Sequence, residues 1–347
     1  MKVITVVGAR PQFVKAAAVS HALEDLADEL IVHTGQHYDP QMSDVFFTEL
    51  DIPEPMYHLG IGSASHGAQT GRMLEAIEEV LLVERPDWVM VYGDTNSTLA
   101  AALAAVKLHI PLAHVEAGLR SGRMDMPEEV NRILTDRISD LLLCPTDNAV
   151  DHLAAEGITN GVHNVGDVMT DTVRRTARAI EGRESSLGLP EHYFASTLHR
   201  AENTTAAQLP KALAVLGAVP GTVILPLHPR TKHAIADQGL RLPENVLAIE
   251  PLGYMDMIEL VTGAEAVLTD SGGLQKEAVI LGTRVVTLRE ETEWVETVTI
   301  GANDVVGLDA DLAVQALSKG PLDMVKVNEA FPSGASQRVA SLLVSPR

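Results

Sequence analysis

Cysteine is all but missing from this chain: Cys144 is the one copy in 347 residues, which excludes an intramolecular disulfide framework and fits a reducing compartment. It follows Leu141, Leu142 and Leu143 and precedes Pro145, at what reads as a strand end, so a buried structural thiol is expected there rather than a nucleophile. Aromatic residues make up only 3% of the chain, and any core must therefore be built mainly from Ala, Val, Leu and Ile. Positive charge is also scarce, with 26 Lys and Arg against 47 Asp and Glu and a formal net charge of −21. That balance argues against nucleic acid or an anionic membrane as a partner, and an anionic ligand would need a local basic pocket. No apolar run is long enough to span a bilayer: the alanine-rich stretch Leu99 to Val106 is interrupted by Lys107. The first strand, Lys2 to Val7, is broken by Gly8, Arg10 and Pro11 too early for a signal peptide, and a soluble cytoplasmic protein is expected.

What is present is an alternation. Strands read at Lys2–Val7, Leu30–Thr34, Trp88–Tyr92, Leu112–Val115 and Leu141–Cys144, with helices at Pro11–Ala27, Gly67–Val83, Ser97–Leu108, Pro127–Ile138 and Asp147–Glu156. After a charged helical segment, Asp171 to Glu184, strands resume at Tyr193–Leu198, Thr222–Pro226, Val246–Ala248, Ala266–Thr269 and Arg284–Thr287. Strand–helix alternation marks parallel sheets covered on both faces, and the length suggests two domains. An α/β chain of two Rossmann-like parallel-sheet domains is expected, residues 1–168 and 169–347, with the last helical segment, Ala335 to Leu343, crossing back to the first domain.

The richest motif is Asp270-Ser271-Gly272-Gly273-Leu274-Gln275-Lys276-Glu277, which joins an apolar strand to a helix. Such a turn points unpaired N–H groups and the positive end of a helix dipole outward, which suits a phosphate or diphosphate. The paired glycines let a ligand reach the backbone, and Glu277, one turn on, is placed to accept hydrogen bonds from a ribose. The bland alternative is a tight turn capped by Ser271. At the other end, Gly8-Ala9-Arg10-Pro11 with Lys15 sets two cations at a helix start, where an anion between them and the backbone N–H groups would offset the dipole; otherwise they are solvated charges. That loop lacks the G-x-G-x-x-G spacing, so dinucleotide binding is not supported.

Asp94 and Glu116 each follow a strand directly and would emerge together at the carboxyl edge of the sheet, where doubly wound proteins bind ligands. Two acids there can divide acid and base roles. Glu128 and Glu129 follow Pro127 at a helix start, a placement the dipole alone explains. His199-Arg200 and His228-Pro229-Arg230 also follow strands, consistent with imidazole and guanidinium near phosphate. The other histidines, including His33, His37, His109 and His114, show no ligand spacing, and no metal site is expected.

At these residues the chain closely resembles the non-hydrolysing UDP-N-acetylglucosamine 2-epimerase family. The carrying segments are Gly8-Ala9-Arg10-Pro11 with Lys15, Tyr92-Gly93-Asp94-Thr95, His114-Val115-Glu116-Ala117-Gly118-Leu119-Arg120, Pro127-Glu128-Glu129 with Asn131-Arg132, His199-Arg200, and Asp270 to Gly273 with Glu277. The resemblance implies a glycosyltransferase-B type fold, its two domains facing across a cleft, and a homodimer. It implies C2 epimerisation of UDP-N-acetylglucosamine through elimination and re-addition of UDP, with no nicotinamide cofactor and no metal. Asp94, Glu116, Glu128 and His199 become the catalytic candidates. Arg10, Lys15, His228, Met257, Ser271, Gly272, Gly273 and Glu277 become candidates for binding the UDP-sugar.

Three departures from the family pattern stand out. Members with an allosteric second substrate site carry Arg-Gln where this chain has Ala68-Gln69, and two glutamines in the loop that runs here from Gln36 to Gln41. Met257 stands where many members have phenylalanine. Glu291-Thr292-Glu293-Trp294-Val295-Glu296 replaces a Thr-Glu-Arg-Pro-Glu pattern and looks like the version in relatives acting on UDP-2,3-diacetamido-glucuronic acid. That sugar is the alternative substrate. A hydrolysing epimerase or a glycosyltransferase on the same fold is a further alternative.

Overall fold

The computed structural model describes residues 1–36, 47–183, 185 and 187–345. The part of the Gln36–Gln41 loop from His37 onward lies outside the described residues. The chain forms two compact units, Met1–Thr172 together with Pro332–Arg347, and Val173–Phe331.

The first unit holds a seven-stranded, all-parallel sheet in the order β3-β2-β1-β4-β5-β6-β7. Its strands are β1 (Lys2–Val7), β2 (Asp28–His33), β3 (Tyr57–His58), β4 (Trp88–Tyr92), β5 (Leu112–Val115), β6 (Leu141–Cys144) and β7 (Val162–Asn164). Its helices are α1 (Arg10–Leu23), α2 (His66–Glu84), α3 (Asn96–Lys107), α4 (Pro127–Ile138) and α5 (Asp147–Ala155). The strands are apolar on both faces because helices cover both, as parallel sheets require. With so few aromatics, close packing falls to small residues: Ala100, Ala101, Ala102, Ala104 and Ala105 of α3 are all fully buried in the same core as Ile4, Val6, Val89 and Val91. The last helix, Ala335–Val344, belongs to this unit and is tied down at its start, where Asp171 accepts from Gly334 N at 2.7 Å and Ser336 N at 2.8 Å.

The second unit repeats the scheme with six parallel strands in the order β10-β9-β8-β11-β12-β13. They are β8 (Phe194–Thr197), β9 (Val223–Pro226), β10 (Val246–Ile249), β11 (Ala266–Thr269), β12 (Arg284–Thr287) and β13 (Asn303–Val305). Before them runs α6 (Val168–Ile180), within which the division between units falls.

Several strands start and stop where the sequence places them, among them Lys2–Val7, Trp88–Tyr92, Leu112–Val115, Ala266–Thr269 and Arg284–Thr287. Helix α1 ends at Leu23 rather than Ala27, because Leu26 N and Ala27 N both turn back onto Leu23 O (2.8 and 3.0 Å) to lead into β2. The edge strands Tyr57–His58, Val162–Asn164 and Asn303–Val305 were not expected; two or three residues are too few to show a period. Helix α6 buries Thr170, Thr172 and Thr176 beside Val168, Met169 and Val173, so counting threonine as polar hides its inner face. Among the described residues no helix is long and apolar enough to cross a membrane.

Candidate active site

In an open parallel sheet, ligands sit beyond the carboxyl ends of the strands where the strand order reverses. In the first unit that point lies between β1 and β4, and in the second between β8 and β11. The loops leaving those strands carry Gly8 to Arg10, Gly93 to Thr95, His199 with Arg200, and Asp270 to Gly273.

In the first unit, Gly8 has to be glycine: a Cβ there would lie 2.1 Å from Thr34 Oγ1 and 2.3 Å from Ser97 Oγ. The expected seat of backbone N–H groups at this loop is used internally. Gln12 turns back so that its Oε1 accepts from Gly8 N (2.8 Å) and Ala9 N (3.0 Å), while its Nε2 donates to Tyr92 O (2.8 Å). Arg10 is the half-buried first residue of α1. Lys15 is not a solvated charge; it is buried, and its Nζ donates to Glu116 Oε2. Burial alone would lower the ammonium pKa, but Glu116, with Asp94 and Asp167 further away, reverses that and holds it above its ordinary value.

Glu116 leaves β5 with φ +71°, a left-handed conformation costly for a residue with a side chain. Strain of this kind, about 1–3 kcal/mol, persists where the surroundings enforce it and is common at functional sites. The enforcement is visible: Glu116 N donates to Leu143 O at 3.0 Å, and the carboxylate is held by Lys15. Asp94 is paired by Arg132 Nη2, and Arg132 Nη1 in turn donates to Glu129. Glu129 is 1% exposed and also accepts from Ser121 N (3.0 Å) and Gly122 N (2.8 Å). Burial pulls its pKa upward, but those N–H groups and Arg132 win and hold it below the usual range. Glu128, its neighbour, is exposed and takes no part in these hydrogen bonds.

Behind them lies a buried relay that the sequence did not suggest. His114 Nε2 donates to Gly93 O (2.7 Å), and Nδ1 faces Asp136 Oδ1 at 2.7 Å. The other oxygen of Asp136 accepts from Gly118 N (3.1 Å) and Arg120 Nη1 (2.7 Å). One carboxylate thus fixes the turns that carry Asp94 and Glu116. Burial would raise Asp136, yet His114 and Arg120 hold it below the usual carboxylate range. Cys144 is buried as expected, and burial pushes its thiol up to about 12.

In the second unit the anchor is Asp270, fully buried at the end of β11. It accepts from His199 N (3.0 Å), Arg200 N (2.9 Å) and Asn203 Nδ2 (3.2 Å), and its Oδ1 lies 3.2 Å from His199 Nδ1. Burial would raise its pKa; His199 and the backbone N–H groups override that and keep it low. Ser271 is the N-cap of the following helix, Gly272–Ile280, accepting from Leu274 N at 3.5 Å. Gly272 is buried and Gly273 exposed. Glu277 is buried and accepts from Tyr254 Oη at 3.2 Å; burial, then Glu277, push the phenol pKa well up. His228 caps the helix Pro229–Asp237, its Nδ1 accepting from Arg230 N at 3.1 Å, and its ring lies 5.7 Å from that of His199. Met257 is half-buried on the helix Tyr254–Thr262, whose first residue is Tyr254.

The sequence-derived residues therefore fall into two groups, one in each unit. Lys15, Glu116 and Asp94 gather in the first, with Arg132 and Glu129 added; His199, His228, Asp270 and the Ser271-Gly272-Gly273 turn gather in the second. Glu129 had a readable signal. It stands at the third position of a helix whose N-cap, Met126, has no side-chain oxygen to offer, and an acid at that position commonly reaches back to free N–H groups.

Comparison with known proteins finds matches over nearly the whole chain. The family model described as UDP-N-acetylglucosamine 2-epimerase matches residues 21–343. A UDP-2,3-diacetamido-2,3-dideoxy-D-glucuronate 2-epimerase of Pseudomonas aeruginosa is 51% identical over 327 residues, covering 91% of each chain. A UDP-N-acetylglucosamine 2-epimerase of Methanocaldococcus jannaschii is 43% identical over 334 residues, again covering 91% of each. The crystal structure of the Methanocaldococcus jannaschii UDP-GlcNAc 2-epimerase in complex with UDP-GlcNAc and UDP superposes with a TM-score of 0.86 at 40% identity, covering 99% of both chains. A match of this extent, on a chain whose two sheets carry the motifs at their reversal points, makes it a member of the UDP-N-acetylglucosamine 2-epimerase family.

Proposed function

We propose that the protein interconverts UDP-N-acetylglucosamine and UDP-N-acetylmannosamine by inverting C2. The C2 proton is not acidified by a carbonyl, so its direct removal would be slow. Elimination avoids this: C2–H and the C1–oxygen bond to UDP break, the proton passes to a side chain, and a 2-acetamidoglucal with a C1–C2 double bond remains. UDP then adds back to C1 while a proton is delivered to the opposite face of C2. Two proton-transfer groups and a cationic seat for the leaving diphosphate are what this needs.

The observation that carries the reading is Glu116, held in a left-handed conformation with its carboxylate paired to buried Lys15. A strained acid with a matched cation, just past the end of the strand paired with the one that leads to Asp94, suits proton transfer better than any structural purpose. Asp94, Glu116, Glu128 and His199 are taken as the proton-transfer set. Ser271, Gly272 and Gly273 are taken to receive the diphosphate, Glu277 the ribose and Met257 the base. Arg10, Lys15 and His228 are taken to contact the UDP-sugar. The reading includes a cytoplasmic homodimer that supplies cell-surface glycan synthesis; the scarcity of cysteine supports the compartment, and the resemblance alone supports the homodimer and the pathway.

A second substrate is favoured by specific observations. The Pseudomonas aeruginosa relative at 51% identity acts, by its description, on UDP-2,3-diacetamido-2,3-dideoxy-D-glucuronate, and Glu291 to Glu296 resembles the version found in such relatives. Proton NMR of each sugar nucleotide incubated with the protein, without added cofactor, separates the two. Formation of UDP-N-acetylmannosamine supports the first reading. Turnover of the diacetamido sugar alone moves the assignment to the second, and release of free sugar from UDP contradicts both.

A further inference from the structure

The segment Glu291 to Glu296, which sets this chain apart from the simplest family pattern, is fastened on both sides of Glu293. Thr292 Oγ1 donates to Gln275 Oε1 (2.6 Å) and accepts from Trp294 N (3.1 Å). The ring of Trp294 packs against fully buried Lys276, whose Nζ lies 3.9 Å from the ring centroid. Gln275 and Lys276 both belong to the helix Gly272–Ile280, so both anchors lead to one element.

Held between them, Glu293 turns its carboxylate to the start of that same helix. A Cβ on Gly272 would stand only 2.0 Å from Glu293 Oε1. Arg289 Nη1 donates to Oε2 at 2.6 Å, and Arg200 Nη2 lies 3.8 Å from Oε1. A carboxylate, two guanidinium groups and a helix N-terminus thus meet at the Ser271-Gly272-Gly273 turn. The two guanidinium groups and the helix N-terminus are the partners a diphosphate would use, and a phosphate oxygen brought to Gly272 would need the volume Glu293 fills. The Glu293 side chain is 46% exposed, so it has solvent to move into.

We propose that Glu293 is an internal stand-in for the ligand's diphosphate, holding Arg200 and Arg289 at the turn until UDP displaces it. Binding is then an exchange of one anion for another, and apparent affinity falls by the fraction of molecules whose carboxylate is already out. The inference rests on the reading that this turn receives UDP, and it adds a residue that opposes binding rather than making it.

Titration calorimetry on the full chain tests it, with UDP, pyrophosphate and uridine as probes and wild type, E293Q and E290Q as proteins. Glu290 immediately precedes the segment but turns toward Gly307, whose Cβ would be 2.7 Å from Glu290 Oε1, so E290Q removes the same charge elsewhere. E293Q is expected to bind UDP and pyrophosphate about tenfold more tightly and uridine equally, with E290Q unchanged. Should E293Q fold poorly, Glu293→Ala reads the same effect. Binding of UDP by E293Q that is no tighter, or weaker, overturns the proposal, because Glu293 would then be orienting the arginines to help the ligand. Equal tightening in E290Q also overturns it, as a net-charge effect. Wild type that binds no UDP at all removes the reading of the turn, and the inference with it.

Discussion

The two units solve one electrostatic problem in different ways. In the first, carboxylates are matched by buried or half-buried cations: Glu116 by Lys15, Asp94 and Glu129 by Arg132, Asp136 by Arg120. In the second, the buried carboxylate Asp270 is held by the His199 and Asn203 side chains together with backbone N–H groups, and the helix start beside it is faced by the half-exposed Glu293. Fixed pairs suit groups that must keep one geometry through a proton transfer. A helix start faced by a half-exposed carboxylate suits a ligand that comes and goes. Under the proposed roles, proton transfer at Glu116 and diphosphate binding at the Ser271-Gly272-Gly273 turn can be tuned separately in this chain.

The widest breach between the units is expected from Glu116→Gln. Loss of a proton-transfer group should lower turnover about 10²–10⁴-fold, while calorimetry should find UDP binding unchanged. Equal loss of both would erase the distinction between the units. Next in size, Lys15→Met leaves the largely buried Glu116 carboxylate without its cation and should destabilise the fold by roughly 3–5 kcal/mol in denaturant titration. The double variant with Glu116→Gln should recover much of that, since neither charge then lacks a partner.

Asp270→Asn probes the second unit, where it trades a charged acceptor for a weaker one and costs about 1–3 kcal/mol. Its pKa is depressed in the folded state, so its contribution is present above the unfolded carboxylate value and is lost as pH falls through the folded one. The variant should therefore show a flatter loss of stability on acidification than wild type. The smallest effect concerns an exception in the first unit. The Glu29 carboxyl is turned inward and hydrogen-bonded by Thr5 rather than by a cation, and burial raises its pKa. A raised acid favours folding at low pH and loses that contribution as pH rises through its folded value. Glu29→Gln should raise Tm at pH 8 by a few degrees, about 1 kcal/mol, and leave it nearly unchanged at pH 4.

Much of this was legible in the chain. Apolar runs that end in a chemically distinct residue, such as Val115 before Glu116 or Thr269 before Asp270, announce both a strand and what its end presents. Order along the chain does not announce which loops become neighbours. Asp136 lies on a helix and His114 in a strand, and only packing makes them partners at 2.7 Å. Gln12 reads as one more helical residue until its side chain closes back on Gly8 and Ala9. Glu128 and Glu129 look equivalent in the first turn of a helix, yet one is exposed and the other 1% exposed. Glu293, one of four glutamates from Glu290 to Glu296, gave no hint that anchors on either side would aim it at Gly272.

The most direct test of the central claim is solvent exchange at C2, followed by proton NMR of UDP-N-acetylglucosamine in deuterium oxide with wild type and E116Q side by side. The account predicts that wild type places deuterium at C2 of both epimers while E116Q, still binding UDP, does so at least a hundredfold more slowly. Epimer formed by wild type with its C2 proton retained, or exchange undiminished in E116Q, would contradict it.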